Sequence, residues 1–273
     1  MPNYGDPDYW DKRYAKSGVD GAFDWLESYD TLKGLLAEFM KDPEMRILVL
    51  GCGNAEFSED LYDAGFKNQL NVDISSVVID QMQQRNSELR PGLEFRVMDI
   101  TDMSELDSNS FDIAIDKSTI DALLCGDDAF IKVAQMLKET QRVLKSETGV
   151  YFAISYGKPE SRSFHFSQPF LSLDNREFIL YDSSCITEEE KQEKSHYIYV
   201  STKRADADQV CEMYYTECME QLQLDSELQR QLEEQNDDGN DDEQEVEEEV
   251  KQHEEAQFDD NQNNGEANKE ESP

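Results

Sequence analysis

Between residues 47 and 155, short apolar runs alternate with stretches of helical spacing, and this alternation leaves few folds open. Ile47-Leu48-Val49-Leu50 is apolar at every position. A strand can carry such a run only if both of its faces are buried, as in a parallel sheet covered by helices. Four more strands are predicted, at Gln69–Val72, Leu93–Met98, Phe111–Ile115 and Gly149–Ser155, with Leu93–Met98 entered through the turn Pro91-Gly92. Helical spacing fills the gaps at Glu56–Ala64, Ser76–Asn86 and Asp128–Leu144, the last with Ile131, Ala134, Leu137 and Val143 near one face. Strands separated by helices predict an α/β fold with a doubly wound, mostly parallel sheet. Two later runs, Glu177–Tyr181 and His196–Ser201, have no helix of length between them and are expected to pair as an edge hairpin, giving seven strands.

The flanks differ in character. Residues 1–30 are aromatic and acidic, with Tyr9-Trp10-Asp11-Lys12-Arg13-Tyr14, Phe23-Asp24-Trp25 and Tyr29, and a helix over Thr31–Met40 stops at Asp42-Pro43. At the other end, partial amphipathic spacing runs from Ala205 to about Glu234. The organisation we read is a domain over 1–204, a C-terminal helix over 205–230 and an acidic tail over 231–273. The tail has 18 acids and 2 bases, a net of −16, against −37 for the whole chain and −21 for the rest. With so few apolar residues it cannot bury enough surface to offset its ordering entropy, so it is expected to be disordered. A surface this acidic repels phosphate backbones and anionic membranes, which argues against nucleic-acid and membrane partners. It would steer a basic protein instead. Five Cys without CxxC spacing indicate neither a disulfide framework nor a zinc site. No signal-peptide pattern and no apolar run of about 18 residues are present, so a cytoplasmic location is expected.

The chemistry is expected at the carboxyl ends of the first three strands. Strand one runs into Gly51-Cys52-Gly53-Asn54, where glycines permit a tight turn and close backbone approach, although a plain strand-to-helix turn would look the same. Asp73 ends strand two, 20 residues beyond Gly53, where a carboxylate receives ribose hydroxyls in nucleoside sites; Asp99 ends strand three. A dinucleotide site would have a third glycine at position 56, but this chain has Glu56, whose charge opposes a pyrophosphate. The adenosyl cofactor that fits is S-adenosylmethionine, a sulfonium without phosphate.

With these residues in place the chain resembles class I (seven-strand) methyltransferases. Residues Ile47 to Asn54 look like the family's first motif, and Val72-Asp73-Ile74-Ser75 and Met98-Asp99-Ile100 like the next two. The run from Phe111 to Leu124, with Trp10, Tyr14 and Trp25 upstream, is similar to the branch containing the elongation factor 1A lysine methyltransferases and the methyltransferase-like 13 group. That resemblance covers roughly residues 4–204. It implies that Gly51 packs under the cofactor's methionine part, Asp73 takes the ribose hydroxyls, Ile74 flanks the adenine and Asp99, beside Ile100, accepts from the adenine amino group. It further implies that Trp10, Tyr14 and Trp25 form a lid and that Lys117 lines the pocket. Each residue has another reading: the three aromatics as core of an N-terminal helix, Asp99 as a cap, Lys117 as a surface lysine, Asp116 and Asp121 as turn or cap residues. Ser118 stands where the family more often has glycine.

The activity implied is methylation of a protein lysine, with elongation factor 1A as the family's suggestion. The reaction is an in-line displacement in which the protein chiefly positions and desolvates the amine, so no catalytic base is assigned. No Asn/Asp-Pro-Pro-Tyr/Phe segment follows strand four, which weakens a base-methylating reading. A small-molecule methyltransferase and a cofactor-binding pseudoenzyme or interaction module remain open alternatives. His196 is expected to pack, Cys52 to fill space, and no metal is expected.

Overall fold

The computed structural model describes residues 3–181, 187 and 194–232. The chain divides into two compact units, Met1–Leu222 and Gln223–Pro273. The first holds helices α1 (Pro7–Ser17) and α2 (Tyr29–Phe39). The alternating series follows: β1 (Ile47–Leu50), α3 (Phe57–Asp63), β2 (Gln69–Asp73), α4 (Ser76–Asn86) and β3 (Glu94–Val97). Then come β4 (Ile113–Lys117), α5 (Thr119–Leu123), α6 (Ala129–Val143), β5 (Val150–Ser155), α7 (Pro159–Phe166), β6 (Leu173–Leu180) and β7 (His196–Lys203). Residues 207–222 form a further helix, α8. In the second unit the described residues, 223–232, are helical, and the rest of the expected acidic tail lies outside the described residues.

The seven strands lie in the order β3-β2-β1-β4-β5-β7-β6. β1, β2, β3, β4 and β5 pair parallel, and β7 is antiparallel to both β5 and β6. The doubly wound, mostly parallel sheet is therefore as expected. The strand order reverses between β1 and β4, so the loops leaving these neighbours run to opposite faces and open a crevice at the carboxyl edge.

Strand periodicity sorts the core into two layers. Ile47 and Val49 face one side, with Leu32 and Leu36 of α2, Phe57 of α3 and Ile79 and Met82 of α4. Leu48 and Leu50 face the other, with Ile120 of α5, Val133, Met136 and Leu137 of α6 and Phe166 of α7. Met219 and Leu222 of α8 pack on Ala134 and Phe170. Among the described residues no helix is long and apolar enough to cross a membrane.

Two strands start two or more residues from where they were expected, and β3 stops at Val97, so Asp99 lies just beyond its end. β4 starts at Ile113, and Phe111 makes only an isolated bridge to Leu144. The Asp112 carboxylate between them accepts from Arg46 N and Lys145 Nζ, at 2.8 Å each, and this anchors the strand's entry. β6 begins at Leu173, ahead of the apolar run at Glu177, because Leu173–Arg176 is recruited by pairing with Val200–Lys203. As the edge strand it has one neighbour and a mostly exposed surface, so its first half carries no apolar signal.

Candidate functional site

A cavity of about 420 Å³ sits over the carboxyl edge at the switch point. All nine residues expected from the sequence line it: Trp10, Tyr14, Trp25, Gly51, Asp73, Ile74, Asp99, Ile100 and Lys117. Strand ends form its floor and residues 4–26 its cover.

On the floor, Gly51 and Gly53 both adopt left-handed backbone (φ 60° and 54°). A Cβ at Gly51 would collide with the Thr119 side chain, whose Oγ1 donates to Leu50 O at 2.8 Å. The bare Gly51 thus makes room for Thr119 as well as for the cavity. Asp73 is buried, with Oδ2 accepting from Gly53 N and Oδ1 from Ser75 N, both at 2.9 Å. Desolvation pushes its pKa up to about 6, and the backbone N–H groups oppose the rise. Ile74 is part-exposed, as a flank of a bound ring would be. Asp99 Oδ1 accepts from Thr101 N at 2.8 Å and Thr101 Oγ1 at 2.7 Å, so the capping role is real and coexists with its place on the cavity wall. Cys52 is buried, and burial raises its thiol pKa well above the ordinary value, as a space-filler's would be.

The cover is an aromatic cluster. Trp10 stacks on Tyr14 with centroids 5.7 Å apart and meets Trp25 edge-on at 6.3 Å. Trp10 Nε1 donates to Tyr4 O at 2.7 Å, and the Arg13 guanidinium lies 5.2 Å from both the Phe23 and Trp25 rings. Tyr14 is buried beside Asp73; burial, then that carboxylate, raises its hydroxyl pKa well beyond the phenol range. Gly5 crosses Gly126 so closely that a Cβ on Gly5 would strike the Gly126 backbone. Tyr4 and Gly5 were not foreseen, since nothing local marks where an N-terminal segment crosses a distant loop.

Lys117, at the end of β4, is not a surface lysine: it lines the cavity and its side chain is largely buried. Its Nζ donates to Asp24 Oδ1 and to Trp25 O, both at 2.9 Å. Burial lowers its pKa, and Asp24 opposes the fall. Asp116 caps α5: it is buried and accepts from Thr119 N at 2.8 Å and Tyr151 OH at 2.7 Å, with desolvation raising its pKa to about 6. Asp121 is held by Arg162 Nη2 at 2.6 Å and Tyr156 N at 2.9 Å. Ser118 has φ 70°, the left-handed geometry that suits the glycine commoner in the resembling family. His196 packs its ring near Tyr156, with centroids 6.2 Å apart, and adds a polar tie that was not foreseen, its Nδ1 lying 2.8 Å from Glu27 Oε1. Arg85 was also missed. Its guanidinium donates to Gly21 O, Asn54 O and Ala55 O and to Glu59, joining the cover's turn to the glycine loop.

A seven-stranded doubly wound sheet, with a glycine loop, a buried carboxylate ending β2 and a cavity at the switch point, is the architecture of a doubly wound α/β domain with its ligand crevice at the carboxyl edge. A family described as a methyltransferase domain matches residues 41–257, most of the chain, and the chain belongs to that family. It is 43% identical over 154 residues to the eEF1A lysine and N-terminal methyltransferase of Bos taurus, covering 56% of this chain and 22% of that protein. To EEF1A lysine methyltransferase 4 of Mus musculus it is 34% identical over 173 residues, covering 60% and 66%. The chain thus spans about a fifth of the length of the first relative and just under two thirds of the second. The resemblance to the eEF1A branch is borne out. A chain of the complex between the Haloferax volcanii Trm112 methyltransferase activator and a methyltransferase shares the fold, with TM-score 0.52 and 16% identity over 73% of this chain and 98% of that one.

Proposed function

We propose that this chain is an S-adenosylmethionine-dependent protein-lysine N-methyltransferase acting on eEF1A in the cytoplasm. The observation that carries the reading is one cavity joining strand-end carboxylates to an aromatic cover, in a chain 34% identical over 173 residues to EEF1A lysine methyltransferase 4.

The residues present fit the cofactor. Glu56 precedes α3 at the helix end where a pyrophosphate would need the opposite charge. Asp73 would accept from the ribose hydroxyls, and Ile74 would flank the adenine. Asp99 would accept from the adenine amino group through the oxygen not used by Thr101, with Ile100 beside it. Gly51 would adjoin the methionine part, and Trp10, Tyr14 and Trp25 would lie over the whole. When bound, S-adenosylmethionine supplies a methyl group on a positively charged sulfur.

The chain's own task is to place an amine in line and keep water away. A lysine ε-amine has a reference pKa of about 10.4 and must be neutral to react. Aromatic walls lower that pKa by desolvation. Asp24, Asp116 and Asp121 are each engaged by protein donors, so no general base is assigned among them. The formal charge of −37 favours a basic protein partner.

The test is incubation of the purified chain with eEF1A and labelled S-adenosylmethionine, followed by mapping of the label. Label on an eEF1A lysine is the expected result. The relatives named for both lysine and N-terminal methylation give a second reading, and label on the eEF1A α-amine would select it. Label only in the small-molecule fraction would overturn both. Calorimetric absence of cofactor binding would leave the interaction-module alternative.

A further inference from the structure

We infer that Lys117 and His196 are positioning residues that clasp the loop of residues 23–27 over the cavity, and that Lys117 serves the site through this clasp instead of through contact with the cofactor. The cofactor half of the inference rests on the reading above; the clasp itself does not.

The ammonium group of Lys117 has three donors. Two are spent on Asp24 Oδ1 and Trp25 O, and the group also lies 5.9 Å from the centroid of the Phe57 ring. Its side chain is 8% exposed. A lysine so enclosed spends two of its three donors on the loop while its side chain lines the cavity.

The second tie is built alike. His196 Nδ1 meets Glu27 Oε1 at 2.8 Å, with both side chains largely covered. Asp24 and Glu27 bracket Trp25 and Leu26, which wall the cavity together with Phe23. Sheet topology brings the two ties to one edge. β4 ends at Lys117, which pairs across β5 through Ile154 to Ile198, and His196 opens the antiparallel β7 two residues before. The carboxyl end of one strand and the amino end of the other therefore face the same loop.

Leu26 supplies an independent sign that the loop is held. Its φ is 60°, left-handed backbone that a residue with a side chain rarely adopts. Such a conformation persists only where the surroundings over-determine it, and the two flanking ties do so. The ties span 93 and 169 residues of sequence, so each fastens the cover to a distant part of the sheet.

The experiment is a double-mutant cycle with Lys117→Met, Asp24→Asn and the pair together in the full chain. S-adenosylhomocysteine affinity is read by calorimetry, and chymotryptic cleavage at Phe23, Trp25 or Leu26 is followed in the ligand-free protein. Lys117→Met is expected to weaken binding about tenfold and to speed cleavage by a similar factor, Asp24→Asn to do the same to a smaller extent, and the double variant to be no worse than Lys117→Met, because Lys117→Met removes both bonds to the loop and Asp24→Asn only the charge of one of them. Overturning results are weaker binding in Lys117→Met with Asp24→Asn unchanged, which would make Lys117 a direct ligand, additive losses, or cleavage unaltered in both singles. Asp24 is more exposed than Lys117, so Asp24→Asn still decides the matter if Lys117→Met does not fold. Should the unaltered chain bind no S-adenosylhomocysteine, the cofactor reading fails, and the cleavage rates still test the clasp.

Discussion

Asp73 on the cavity floor finds its two backbone donors within its own strand-and-turn neighbourhood, Gly53 being 20 residues away and Ser75 two. Asp24 on the cover meets its cation, Lys117, only across 93 residues. The same division runs through each region. Asp99 is bonded by Thr101 and Asp116 by Thr119, both close in sequence. The cover is fastened by Asp11 to Ser75, by Tyr14 O to Gln81, by Gly21 O to Arg85 and by Glu27 to His196, across 64 to 169 residues. The floor is therefore complete once the strands pair, while the cover depends on side-chain ties that can be cut singly without touching the sheet.

Arg85 is the place to break that division, because its guanidinium serves both regions. Arg85→Ala would leave Glu59 to Asn86 and Arg90 and deprive three carbonyls of their donor, and is expected to cost about 3 kcal/mol of unfolding free energy in denaturant titration. A loss confined to faster cleavage of the cover, with stability intact, would show that Arg85 belongs to the cover alone.

Asp73→Asn should separate the regions most cleanly. With Asp73 holding the ribose hydroxyls as proposed, loss of its charge is expected to weaken cofactor affinity on the order of 100-fold by calorimetry. Cleavage of the 23–27 loop should stay as in the unaltered chain, and a large rise would tie floor and cover together.

The pH dependence is smaller and belongs to the floor. Ribose hydroxyls favour the ionised carboxylate, and the Asp73 pKa stands at about 6. Cofactor affinity should therefore fall as pH drops through 6, by about tenfold between pH 7 and pH 5, and Asp73→Asn should flatten the profile. The stability linkage has the opposite sign. Folded values for Asp73 and Asp116 lie above the unfolded carboxylate value, so their favourable contribution is fully present below that value and is lost as pH rises through about 6. A stability curve of Asp116→Asn that is no flatter between pH 4 and pH 6 than the unaltered chain's would contradict this.

Ser118→Gly is the mildest change. Relief of the left-handed backbone should raise stability by roughly 0.5–1 kcal/mol, since the Ser118 Oγ bond to Asp121 is long at 3.3 Å. Thermal unfolding reads the effect, and cofactor affinity should hold.

The floor was legible for the reason it is simple. Apolar runs at Ile47–Leu50 and Gly149–Ser155 declare buried strands, and the residues that end strands must point into the carboxyl-edge crevice whatever the remaining sequence does. Gly51, Asp73 and Asp99 could thus be named before any coordinates. The family resemblance implied a lid of Trp10, Tyr14 and Trp25, but nothing in residues 9–25 showed what holds it. The polar start of β6 was invisible because an exposed edge strand is recruited by its neighbour's hydrogen bonds and not by its own pattern.

By itself, then, the sequence determined the doubly wound sheet, the edge at which a nucleoside ligand would sit and the carboxylates waiting there, since strand period and turn glycines act over a few residues. Only the tertiary structure decided that Lys117 grips Asp24 and the Trp25 carbonyl, that His196 meets Glu27 and that Arg85 spans floor and cover. Those pairings join residues about 30 to 170 positions apart, and contact at such separation depends on how the elements pack, which no local pattern records.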